Sequence, residues 1–158
     1  MNEIVRIEDQ LRRSIEGEAW HGPSINELLQ DVTAGEAAAK PITHAHSIWE
    51  ILLHVISTQE IVLERLAGKP SRDYGENDWP PVRNESSAAW SSALRSLSDT
   101  SARLRNAVLG LDARHLDEPI VEGFSSVYVT VHGTVQHNLY HAGQIALLKK
   151  AIRSAGCG

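Results

Sequence analysis

Apolar residues recur at three- and four-residue steps through four long stretches of the chain. Ile4, Ile7, Leu11 and Ile15 are separated by Arg6, Glu8, Asp9, Arg12 and Arg13. That is the stripe of a helix burying one face, and it predicts a helix over residues 2–17. Gly17 and the string Trp20-His21-Gly22-Pro23 break the pattern, after which Ser24 and Thr33 read as caps for two short turns, Ile25–Gln30 and Ala34–Ala39. Pro41 ends this connection. Ser47-Ile48-Trp49-Glu50 then has the form of a capping box, in which the serine oxygen and the glutamate carboxylate each take up a free backbone donor. A second long helix is expected from about His46 to Ala67, with Ile48, Ile51, Leu52, Val55, Ile56, Val62, Leu63 and Leu66 facing inward.

Residues 68–85 carry Pro70, Gly75, Pro80 and Pro81 among many polar side chains, so they read as a long crossing connection with Trp79 as its large apolar anchor. Ser86 or Ser87 caps a third helix, carried by Ala89, Trp90, Ala93, Leu94, Leu97, Leu104, Val108 and Leu109 and closed by Gly110. The fourth helix is expected over 126–152. By propensity alone Val127-Tyr128-Val129-Thr130-Val131 reads as a strand, but a lone strand has no partner here, and the segment runs directly into the helical Leu139–Lys150. Four long helices with one apolar face each predict an all-α, single-domain four-helix bundle over residues 1–158, with its long connection between helices two and three.

Composition narrows the function without naming it. The chain has 158 residues, of which 42% are hydrophobic and 22% charged, the usage of an ordinary folded domain. The net charge of -5 gives no cationic excess for a phosphate backbone, so nucleic acid is not an expected partner. No apolar run is long enough to span a bilayer or to form the core of a secretory signal. The single Cys157 has no partner for an internal disulfide. A cytoplasmic protein that acts on a small molecule is the expectation these features leave.

The chain holds eight histidines, and their placement carries the chemistry. His137 and His141 are four apart, so on a helix they project from one face and can reach a common ion. His54 lies in the apolar run Ile51–Ile56, where an imidazole is costly to bury without a partner. The bland account is a core histidine bonded to a carbonyl. In a bundle, however, facing helices supply ligands to a shared interior, and three histidines with one open position frame a catalytic zinc or similar ion. His132, nine residues before His141, points well away and is excluded; His21, His44, His46 and His115 fall in loops, turns or at a helix start. Position 138 is Asn where a zinc-protease helix has Glu, which removes that reading. Glu50, one turn before His54, is a candidate general base, with the capping box as its alternative role. Trp20, Trp49, Trp79 and Tyr140 are nominated as aromatic walls of a pocket, the alternative being that they are core.

The segment Ser47–His54, followed by His132-Gly133-Thr134-Val135-Gln136-His137-Asn138-Leu139-Tyr140-His141-Ala142-Gly143-Gln144-Ile145, resembles the DinB/YfiT-like family of metalloenzymes. The likeness covers nearly the whole chain, and the His-x-x-x-His-x-Gly-Gln piece is its most specific part. Trp20-His21-Gly22-Pro23 and Asp78-Trp79-Pro80 are similar to one subgroup. The resemblance implies a four-helix bundle, frequently a homodimer, with a divalent metal, zinc or nickel foremost, at His54, His137 and His141. Characterised relatives include transferases that use a low-molecular-weight thiol such as bacillithiol or mycothiol, and a thiol-dependent maleylpyruvate isomerase. The expectation is therefore a metal-dependent thiol S-transferase in which Glu50 or Tyr140 assists proton movement. Two alternatives stand beside it: a hydrolase in which a water activated at the metal attacks an ester or amide, and a non-catalytic metal- or small-ligand-binding stress protein.

Overall fold

The computed structural model describes residues 2–72, 76 and 78–155. Among them are six α-helices and no strand: α1 (Glu3–Glu16), α2 (Ile25–Leu29), α3 (Ala34–Ala38), α4 (Ile48–Leu66), α5 (Ser87–Leu109) and α6 (Val127–Ala155). Helix starts fall where the sequence supplies a side-chain acceptor for the free backbone donors of a first turn. Asn2 accepts from the Ile4 N–H and Ser86 from the Ala89 N–H. The pairs Ser24/Glu27, Thr33/Glu36 and Ser47/Glu50 form reciprocal capping boxes on α2, α3 and α4.

The β-prone start of α6 is helical. Its weak propensity costs up to about 0.7 kcal/mol per residue, which the burial of Val131 and Val135 in the core offsets. The Thr130 hydroxyl also donates to the Ser126 carbonyl at 2.9 Å, which keeps it within the helix's own hydrogen-bonding.

Helices α1 and α4 each pack against both α5 and α6, so the four long helices close a ring of contacts around one interior. The short α2 joins α1 to α6, and α3 lies on α4. The interior divides into two apolar clusters. One gathers Ile15, Ile48, Leu52, Trp90, Leu97 and Ile145; the other gathers Ile7, Leu11, Val62, Leu104, Val108 and Val135. At the boundary every long helix contributes a buried polar residue: Ser14 from α1, Gln59 from α4, Thr100 and Ser101 from α5, and Asn138 from α6. Asn138 Nδ2 donates to Ser14 Oγ at 3.0 Å, which ties α6 to α1 across the interior.

Two details differ from the sequence expectation. Leu109, expected on the inward face of α5, is 47% exposed because it lies past Val108, the last core position before Gly110 ends the helix. The long connection is anchored by Val82 as well as Trp79, both packed against the first cluster. Cys157 lies outside the described residues. No helix among the described residues is long and apolar enough to cross a membrane.

Candidate metal centre

The α4–α6 contact brings His54 against His137 and His141. His54 and His141 are buried, while His137 is half-buried and forms the more open side of the group. The Nε2 atoms of His137 and His54 lie 2.9 Å apart, and those of His141 and His137 lie 3.2 Å apart. A tetrahedral ion with nitrogen ligands at about 2.0–2.1 Å places those nitrogens about 3.3 Å from one another. Two of the three separations are near that value, and all three donor atoms lie within 4.8 Å of one another, the grouping of one ion shared by three imidazoles.

The opposite ring edges determine which nitrogens carry protons. His54 Nδ1 faces two acceptors, the Asp78 carbonyl oxygen at 2.5 Å and the Asp78 carboxylate at 3.2 Å, so it holds a proton and donates. His141 Nδ1 faces the Gln144 carboxamide oxygen at 2.6 Å and donates likewise. In each neutral ring Nε2 is then left as a bare lone pair aimed at the cluster, the arrangement that second partners impose on metal-binding histidines. Burial pushes the His141 pKa below its ordinary 6.5, and the neighbouring His54 and His46 add to this against the raising effect of Gln144. For His141 the neutral, lone-pair form is thus the stable one near neutral pH. Two bare nitrogens converging on His137 Nε2 repel unless positive charge lies among them. One proton can serve one of the two contacts; a divalent cation serves all three nitrogens, so the donor set fits such an ion.

Trp79 covers the His54 side. Its indole is stacked flat on the His54 ring at 4.0 Å and on the His46 ring at 3.6 Å. His46 therefore reaches the surroundings of the centre through Trp79 and not as a ligand, and its Nδ1 lies 3.5 Å from Glu50. The Tyr140 ring meets His141 edge-on at 5.1 Å and is 66% exposed, at the rim.

Glu50 is engaged elsewhere: its carboxylate accepts from the Ser47 N–H and from Lys40, each at 2.8 Å. Burial alone would raise its pKa, but Lys40, the Ser47 donor and His46 hold it below the ordinary 4.5. Trp49 is buried with its edge against Trp90, and Trp20 is fully exposed, so of the four nominated rings the structure brings Trp79 and Tyr140 to the histidines. His132 stacks on Tyr128 and takes no part in the cluster.

The model of the DinB superfamily matches residues 20–145, well over half of the chain. The chain belongs to the DinB superfamily. No curated protein and no solved structure matches it significantly. The DinB match spans all three histidines together with Trp79 and Gln144. Two residues of this DinB centre, Gln144 and Asp78, stood in the quoted motifs but were given no role from sequence. Gln144 had a readable signal, since His-x-x-Gln places both side chains on one helix face. The Asp78 contact had no local signal, because Asp78 lies 24 residues from His54 on a connection whose path no local rule supplies.

Proposed function

We propose that this DinB protein is a metal-dependent S-transferase acting with a low-molecular-weight thiol, in which His54, His137 and His141 hold a divalent ion, zinc or nickel foremost. The observation that carries the reading is the convergence of Nε2 atoms whose ring partners leave lone pairs on His54 and His141. Bound there, such an ion supplies a positive charge that lowers the pKa of a thiol and stabilises its sulfur as the anion.

The protein residues supply orientation and proton handling. Asp78 and Gln144 fix the His54 and His141 rings by their Nδ1 protons. Trp79 walls one side of the centre and keeps water from the His54 ring. Tyr140, at the rim beside His141, is the proposed carrier of the thiol proton to solvent. The sulfur lone pair then forms the bond to an electrophilic carbon, whose leaving group departs with its own electron pair. Glu50 serves the α4 cap in this scheme. Its carboxylate is held by Ser47 and Lys40 and its lowered pKa makes it a poor general base, which weakens the hydrolase alternative in which it was the candidate base. A homodimer, as the family resemblance implies, is part of the proposal, and the exposed Leu147 on α6 is a residue it would cover.

Metal-loaded protein assayed with electrophilic acceptors, with and without a panel of small thiols, tests the reading. Turnover only when thiol is present is expected. Turnover that persists without thiol contradicts it in favour of hydrolysis, and no turnover under any condition contradicts it in favour of a binding protein.

A further inference from the structure

A groove of about 240 Å³ runs between α4 and α6 with His137 among its walls. Its other lining includes Thr58 and Val62 on α4, and Thr130, Gly133 and Thr134 on α6. Thr58 lies one turn beyond His54, and Thr130 two turns before His137, so the groove leads away from the histidines along both helices for about 10 Å. His137 is the half-buried member of the triad, while Trp79 covers the His54 side, so this groove offers an approach to the centre on its open side. A larger surface groove, about 780 Å³ between Pro23 and Arg153, shares no residue with the triad.

Gly133 stands in the interior of α6, where glycine costs about 1 kcal/mol relative to alanine. No atom lies within 4 Å of where its Cβ would be, so close packing does not require glycine there. Its helical position needs no special backbone conformation either. What its missing side chain does is leave the groove open. Thr134 and Thr130 donate their hydroxyl protons to the carbonyls of Thr130 and Ser126, each at 2.9 Å. Each hydroxyl oxygen keeps lone pairs, so the α6 face presents acceptors, while Arg65 on the α4 side of the groove presents guanidinium donors, and the lining suits a ligand whose groups both donate and accept.

We propose that this groove is the substrate cleft, that it takes a slim molecule with a hydroxyl- or amide-bearing tail beside its metal-binding head, and that Gly133 sets the width available to that tail. The proposal rests on the metal centre described above.

Cobalt-loaded protein titrated with hydroxamates tests both, because the hydroxamate head binds a metal whatever the native substrate. The probes are acetohydroxamate, which has the head alone, hexanohydroxamate, and a hexanohydroxamate ending in a hydroxyl, each followed by the cobalt visible spectrum. The hydroxyl-ended tail is expected to tighten binding about tenfold over the head alone in the wild type. In Gly133→Leu that gain is expected to vanish with acetohydroxamate affinity unchanged. Gly133→Ala, which also raises helix propensity, is expected to lose part of the gain while melting higher.

A tail gain absent from the wild type, or equal in Gly133→Leu, overturns the cleft. Equal affinity for the hydroxyl- and methyl-ended tails overturns the hydrogen-bonding class. Failure of cobalt to bind at all overturns the metal centre instead, and is seen in the spectrum before any hydroxamate is added.

Discussion

Gln144 and Asp78 decide what the three imidazoles can do, because a histidine whose Nδ1 is left to rotate and exchange protons is a weaker ligand than one fixed by an acceptor. Gln144→Ala removes the acceptor 2.6 Å from His141 Nδ1. It is expected to weaken zinc affinity about 10- to 100-fold, measured by competition with a chromophoric chelator, with helicity unchanged. Equal affinity would mean that the contact does not orient the ring. The histidines themselves were legible in the sequence: the spacing of His137 and His141 and the apolar setting of His54 are local facts. The aromatic walls were only half legible. Trp49 sits in the apolar start of α4 and Trp79 in a polar, proline-rich connection, and which of them meets an imidazole depends on the path of that connection before α5.

Among the elements, the helix starts were readable because capping is local: Ser24, Thr33 and Ser47 each sit at the N-terminus the sequence assigned to them, and of the two candidates Ser86 and Ser87 it is Ser86 that caps α5. The polar layer between the two apolar clusters was not readable. Ser14, Gln59, Thr100, Ser101 and Asn138 come from four helices, and only their assembly puts them at one level. Gln59 is 1% exposed, and neither its carboxamide nitrogen nor its oxygen has a hydrogen-bond partner among the described residues. Gln59→Met keeps the length of the side chain and removes both polar atoms, so it is expected to raise stability by about 1 kcal/mol. Chemical denaturation measures this, and a lower midpoint would show that the amide contributes more than its desolvation costs. The layer also bears on the centre, since Asn138 lies between the two α6 ligands and its bond to Ser14 fixes the rotation of α6 against α1.

Across the whole molecule, carboxylates hold the short helices to the long ones. Asp31, hydrogen-bonded by Lys149 and Arg153 of α6, has its pKa lowered from 3.8 to about 2. Glu27 and Glu36 are lowered from 4.5, chiefly by the backbone donors of Ser24 and Thr33. Glu50 is also lowered, its burial outweighed by Lys40 and Ser47. A carboxyl with a lower pKa in the folded state contributes stability fully above its unfolded pKa, and loses it as pH falls through the folded value. The melting temperature is therefore expected to fall as pH drops from 4.5 towards 2, followed by circular dichroism. A melting temperature that stays level or rises across that window would contradict the assigned pairings.

Metal content per chain tests the central claim most directly. Protein prepared without a nickel column, stripped with chelator and titrated with zinc, is expected to bind one ion per chain, as the three-nitrogen set requires. His137→Ala or His141→Ala is expected to abolish stoichiometric binding and keep the helical circular dichroism signal, because the apolar clusters lie apart from the ligands. One ion still bound per chain after His54, His137 and His141 are all replaced by alanine would contradict the account.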